Sequence, residues 1–160
     1  MQGTVFIPSV NAEKNLRQEM AEPTSNQLRV RLVTPDQVLL DQAADAVELP
    51  AKNGYLEVLL GHAPLLALLG SGEVRIHGGE TGDQRFHVSW GFVEVLPDRV
   101  TILADDARKP AEIDTAAARQ ELEDGHKLWN EAGDDASQYE KANQIIFDAE
   151  SKLESAASKA

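Results

Sequence analysis

The hydrophobic period of this chain changes after Pro110, and that change limits its fold more than any other feature. Upstream, apolar residues tend to alternate with polar ones; Leu28, Val30 and Leu32, for instance, alternate with Arg29, Arg31 and Val33. Downstream, they recur at steps of three and four. Alternation puts every second side chain on one face of a half-buried strand, whereas steps of three and four draw a stripe along a helix. The chain is therefore expected to join a strand-built part to a helical part.

The strand-built part is punctuated at close spacing. Thr34-Pro35-Asp36-Gln37 reads as a turn before Val38-Leu39-Leu40, and Ala46-Val47-Glu48-Leu49 precedes Pro50. The loop Ala51-Lys52-Asn53-Gly54 leads into Tyr55-Leu56-Glu57-Val58, and Asn-Gly is a strong hairpin signal because both residues tolerate positive φ. Val74 and Ile76 alternate with Arg75 and His77; Gly78 to Asp83 reads as a hairpin tip; Phe86, Val88 and Trp90 alternate with His87 and Ser89. Phe92, Val93 and Val95 follow, and Pro97-Asp98 turns into Val100-Thr101-Ile102-Leu103. Short strands with Gly and Pro punctuation predict an antiparallel sandwich or barrel.

In the helical part, Asp114 is placed to cap a helix from Thr115. Ala118, Leu122, Gly125, Trp129 and Ala132 form one stripe; Tyr139, Ala142, Ile146, Ala149, Leu153 and Ala156 form another. Gly133-Asp134-Asp135 separates them, and Ser137 with Glu140 has the spacing of a capping box. Two amphipathic helices joined by so short a turn run antiparallel. Both stripes are thin and alanine-rich, and Gly125 is expected to cost its helix about 1 kcal/mol relative to alanine. A marginally held hairpin with more than one arrangement is expected.

The expected fold class is thus α+β, with residues 27–110 an antiparallel β-sandwich and residues 111–160 an antiparallel two-helix hairpin. Residues 1–26 read as a flexible extension: Leu16 and Met20 alone would share an apolar helical face, and Pro23-Thr24-Ser25-Asn26 reads as a linker. An arm that orders on a partner is the alternative.

Net charge of -12 at a pI near 4.7 argues against nucleic acid, whose phosphates would be repelled. Without cysteine there are no disulfides, zinc–thiolate sites or cysteine nucleophiles. No apolar run reaches the ~18 residues that a membrane helix needs, and Pro8 breaks Val5-Phe6-Ile7, so neither direct membrane insertion nor a signal peptide is expected. His62, His77, His87 and His126 lack metal-ligand spacing. His77 and His87 lie on either side of one expected hairpin and read as a solvent-face pair. Ser71 and Ser89 have no nucleophile-elbow context, Gly70-Ser71-Gly72 is no phosphate loop, and Asp105-Asp106 reads as a solvated strand end. No cofactor, metal or catalytic set is expected.

Gly61-His62-Ala63-Pro64-Leu65-Leu66 stands out for a different reason. Pro64 removes a backbone donor, so regular pairing should stop there. Leu65, Leu66, Leu68 and Leu69 are expected to be buried, beneath a loop that presents one histidine. That is the composition of a contact surface, and the role of His62 stays open between partner contact and a locally bonded loop residue.

This loop is one of several blocks that occur in family order. Leu32-Val33-Thr34-Pro35 and Asp45-Ala46-Val47 come first; Gly54 to Leu69 follows the pattern GxxGxLPGHAPLL; Ser71 to Ile76 follows xGxVxI; Val88 to Val95 follows VSGGFxEV; Val100 to Asp105 reads VTILAD; Ile113-Asp114 opens a helix. Over residues 28–158 the chain resembles the ε subunit of the bacterial F-type ATP synthase, the equivalent of the mitochondrial δ subunit. Leu60, Glu57 and Trp90 depart from the pattern, where the family usually has proline, glycine and glycine.

The resemblance implies a non-catalytic rotor subunit of a proton-translocating complex, joining γ to the c-ring, peripheral on the cytoplasmic face of the bacterial cell membrane. It implies partner contacts at Gly61, His62, Ala63 and Pro64. It also implies possible but weakened regulation of ATP hydrolysis by the hairpin, which in several members can extend along γ towards the catalytic α and β subunits and inhibit hydrolysis, and in some binds ATP through I/L-D-x-x-R-A. Here that stretch begins Ile113-Asp114, and Ala117 holds the arginine position. Arg119 is two residues late, roughly on the opposite helix face. Weak or absent ATP binding is therefore expected. The hairpin is acidic, which opposes docking on an acidic segment of β, so it is expected to stay folded. A free-standing β-sandwich ligand-binding module with a helical tail is the competing reading; it would need an aromatic-lined cleft, yet only 5% of residues are aromatic.

Overall fold

A computed structural model describes residues 26–79 and 81–158; the extension expected over residues 1–26 lies almost wholly outside them. Eight strands come first: β1 Leu28–Val33, β2 Val38–Ala44, β3 Ala46–Ala51, β4 Gly54–Leu59, β5 Leu65–Leu69, β6 Gly72–His77, β7 Gln84–Leu96 and β8 Arg99–Arg108. A 3-10 turn at Pro110–Glu112 leads to α1 Thr115–Glu131 and α2 Ala136–Ala157. The change of period at Pro110 therefore marks the change of architecture. No helix among the described residues is long and apolar enough to cross a membrane.

The strands connect in the order β2-β1-β8-β7-β5-β3-β4, and β6 pairs with β3 and β7. Every pairing is antiparallel except β1 with β8, which is parallel, a pairing that alternation alone could not reveal. The core joins Leu28, Val30 and Leu32 of β1 to Val47 and Leu49 of β3 and Val93 and Val95 of β7. The β3–β4 hairpin turns on Lys52-Asn53, because Ala51 pairs with Gly54. Only Gly54, not Asn53, takes a positive φ, so the Asn-Gly signal marks the hairpin but not the turn centre.

β5 and β6 pair with β7 in one constant register, interrupted at Gly70-Ser71. Along that line the core-facing parity reverses. Val74 and Ile76 of β6 are buried at even positions, but in β5 the buried leucine is Leu69. Phe86 and Val88 of β7 face the core before the line, Val93 and Val95 after it. β8 does the same between Ala104 and Ala107. The chain makes the reversal in β7 at Trp90 and Gly91, with φ of 52° and 117°. A non-glycine residue there costs about 1–2 kcal/mol. Gly91 has no substitute, since a Cβ would lie 2.0 Å from the Leu103 carbonyl oxygen. Asp105-Asp106 sits on this line inside β8 rather than at a strand end, and Asp106 pairs with Arg108 at 2.9 Å.

The parity reversal corrects one expectation. Leu69 is buried, but Leu66 is 70% exposed and Leu68 60%, and Leu65 is exposed too. With odd positions of β5 aimed inward, Leu66 and Leu68 must face out; Leu65 has the inward parity and is exposed because it opens the strand beside the loop.

The helices form the expected hairpin. Asp114 accepts from the amides of Ala116 and Ala117 at 2.9 and 3.0 Å. The second cap is Asp135, which accepts from the amides of Ser137 and Gln138, so the Ser137–Glu140 box is replaced by a cap two residues earlier. Trp129 and Tyr139 meet edge-on at 5.3 Å beside the turn. Gly125 is buried where the helices cross, and a Cβ there would lie 2.8 Å from Cγ1 of Ile146. Its cost in helix propensity thus permits a closer seam than the alanine-rich stripes suggested. Gly125→Leu is expected to destabilise the hairpin by about 1–3 kcal/mol despite better propensity. Faster amide exchange across residues 115–156 would register this; unchanged exchange would refute it.

Candidate docking surface and hairpin latch

The reversed parity of β5, β7 and β8 builds an apolar row on the outer face of the sheet. Leu68 pairs with Phe92, Phe92 with Leu103, Leu103 with Val33, and Val33 with Val38. Directly opposed residues share a face, so these side chains stand side by side across five strands. Phe92 is 45% exposed and Val38 is exposed as well. Leu66 extends the row towards the loop, and Leu59 and Leu60 add exposed apolar surface at the end of β4. A contiguous patch of this kind marks a contact surface rather than ordinary scatter.

The four residues singled out in the loop lie beside the row. Pairing lapses at His62–Pro64 and resumes at Leu65. The Gly61 amide donates to the Pro97 carbonyl at 2.6 Å, tying the loop to the β7–β8 turn. The His62 amide donates to Leu59 at 3.1 Å. His62 Nδ1 lies 2.7 Å from the Ala63 carbonyl, which can only accept, so Nδ1 carries a proton. The ring is fixed by its own neighbour and keeps Nε2 for another contact. Gly61, Ala63 and Pro64 are exposed.

On the part of β7 that precedes the parity line, a polar latch holds α2. His87 is 1% exposed and does not face His77, which pairs instead with Glu48 at 2.9 Å. His87 Nδ1 lies 3.0 Å from Ser155 Oγ on α2, and Nε2 lies 3.4 Å from both Ser71 Oγ and Ser89 Oγ. Ser71 donates to Asp148 at 2.5 Å. Lys152 spans Asp148 and Glu121 of α1 at 2.8 Å each. Arg85 joins buried Glu73 to Ser158 at the end of α2. Serine, histidine and aspartate meet here in the wrong connectivity for nucleophilic attack: the serine hydrogen goes to the carboxylate, and that carboxylate lies 3.9 Å from the serine-facing ring nitrogen. Burial penalises the charge of Asp148, but the polar hydrogens of His87, Lys152, Ser71 and Ser89 around it outweigh that penalty and hold the carboxyl well below its ordinary range. Burial likewise opposes the Lys152 charge, and Asp148 and Glu121 overcome it, raising its pKa. Sequence reasoning missed the latch because residues as far apart as 77 positions are hydrogen-bonded in it.

Ile113, Asp114 and Ala117 do come together, with His87, Glu121 and Lys152, around a cavity of about 60 Å3. The Asp114 carboxylate is used as a helix cap, and Arg119 is exposed.

A family model described as "ATP synthase, Delta/Epsilon chain, beta-sandwich domain" matches residues 27–110. An ATP synthase epsilon chain of Halalkalibacterium halodurans is 38% identical over 127 residues, covering 79% of this chain and 95% of that relative. This chain belongs to the ATP synthase delta/epsilon family. The epsilon chain of Koribacter versatilis is 48% identical over 90 residues, 56% of this chain and 62% of that one. A solved structure of the Euglena gracilis mitochondrial ATP synthase, described as OSCP/F1/c-ring, contains a chain of the same fold, with a TM-score of 0.69 at 20% identity, covering 99% of this chain and 100% of that one. In this delta/epsilon member, sandwich and hairpin are joined through the latch.

Because the folded Asp148 carboxyl lies below its ordinary value of 3.8, its contribution is complete above that pH and fades as pH falls below it. Asp148→Asn is expected to cost about 1.5–3 kcal/mol at neutral pH. Amide exchange in residues 145–157 reads the loss, and the gap to the parent protein should narrow below pH 3.8. A gap that is constant with pH would contradict the charged latch.

Proposed function

We propose that this chain is a non-catalytic central-stalk subunit of a proton-translocating F-type ATP synthase, joining γ to the c-ring as a peripheral component on the cytoplasmic face of the bacterial cell membrane. The observation that carries this reading is the apolar row Leu68–Phe92–Leu103–Val33–Val38 in a chain of the delta/epsilon family. A rotor joint must transmit torque without yielding. The row offers apolar area for attachment, and the loop Gly61, His62, Ala63 and Pro64 offers a contact whose backbone is pinned at Pro97 and Leu59.

The same reading gives the hairpin a folded, non-inhibitory role. The latch supports it, as does the surplus of carboxylates over cations on α1 and α2. Nucleotide binding is not part of this role. The cavity at Ile113, Asp114 and Ala117 is about 60 Å3, against the ~300 Å3 or more of ordinary small-molecule sites. Lys152 occupies the space between the helices, neutralised by two carboxylates.

Two measurements test this. Phe92→Glu and Leu66→Glu, both at exposed positions, are expected to leave the isolated chain folded while lowering its incorporation with γ and the c-ring by at least about tenfold. Full incorporation of the double variant would overturn the docking surface. Titration calorimetry with ATP should give no saturable binding at micromolar concentration, and a saturable isotherm would overturn the reading of Ile113, Asp114 and Ala117.

A further inference from the structure

The apolar row does not end at Leu68. That side chain also lines an open groove of about 1070 Å3 between the sheet and α2. Trp90, presented by the strained turn of β7, forms one wall, and Phe147 of α2 lies 6.1 Å from it, ring to ring. Phe147 is exposed although its neighbours Ala142 and Ala149 are buried. An aromatic pair left open beside a strained backbone position is an unfinished contact rather than a filled core.

The groove also carries a net negative charge. Asp105, Glu140 and Glu150 line it, against Lys52 alone, and none of the four has an ion-pair partner among the described residues. An occupant must therefore bring apolar side chains for Trp90, Phe147 and Leu68, and basic residues for the carboxylates.

We infer that the groove receives an apolar segment with basic flanks belonging to γ, as the rotor partner that covers the row, so that one partner grips sheet and hairpin together. Leu68 carries the argument, because it belongs to both surfaces, and a chain lying along the row runs into the groove without a break. The inference rests on the docking reading above. Its consequence is mechanical: the partner holds α2 against the sandwich from the open side, while the Asp148 latch holds it from the buried side. Partner docking and a folded hairpin then favour each other, since each completes the surface the other needs.

The absence of cysteine makes a direct test possible. Asn143→Cys places a thiol in the groove, and Glu94→Cys places one beside the row; both positions are exposed. Maleimide labelling of each full-length variant is followed by mass with and without purified γ from the same ATP synthase. Both thiols are expected to react at least about tenfold more slowly when γ is saturating. Slowing at Glu94→Cys alone overturns the inference and leaves the docking reading standing; slowing at neither overturns both. As a second measurement, Glu140→Lys with Glu150→Lys should weaken γ binding by about fivefold at low salt and much less at high salt. Equal affinity at low salt would overturn the charge argument.

Discussion

The line at which β5, β7 and β8 exchange their core-facing parity governs the rest of the molecule. It lies at Gly70-Ser71, Trp90-Gly91 and Asp105-Asp106, and it lets β7 pair with β6 at one end and β5 at the other without a shift of register. Before the line, the second face of β7 carries His87 and Ser89, which lie under α2. Beyond it, that face becomes core and the former core face turns outward with Phe92 and Glu94. Without the reversal, the latch and the apolar row could not occupy one strand. The cost is a tryptophan held at positive φ and a glycine pressed against β8.

Two kinds of surface follow from that line, and they behave differently. The latch is polar and largely buried, and each charge on Asp148 and Lys152 has an opposite neighbour. Such a pair adds geometric demand: removing Lys152 leaves the Asp148 carboxylate desolvated without a cation, and removing Asp148 leaves Lys152 only Glu121. The row is apolar and solvent-facing, with no counterpart among the described residues. A buried polar latch favours one hairpin arrangement, while the row and loop suit attachment. Together they describe a part that holds its shape and joins other parts, in keeping with membership of the delta/epsilon family.

Much of this was legible in the residues. The strand periods, the Pro110 boundary, the Asp114 cap and the antiparallel hairpin all depend on neighbours close in sequence. The block Gly61 to Pro64 identified the loop, and the blocks from Leu32 to Asp114 identified the family. The errors share a cause. Apolarity alone predicts burial for every leucine of β5, but which of them face inward depends on a parity fixed at Trp90-Gly91. Flanking one turn predicts His77 and His87 as a pair, yet His87 meets Ser155 of α2 and His77 meets Glu48.

The sequence by itself therefore determined the elements, their order and the family, because period, capping and turn chemistry act over a few residues and can be read along a line. Only the tertiary structure decided which face of each strand meets the core, why Gly125 is worth its cost, and where Ser71, His87 and Asp148 meet. Those outcomes depend on residues up to 77 positions apart brought within hydrogen-bond reach, and no local pattern encodes a distance between segments that have not yet packed.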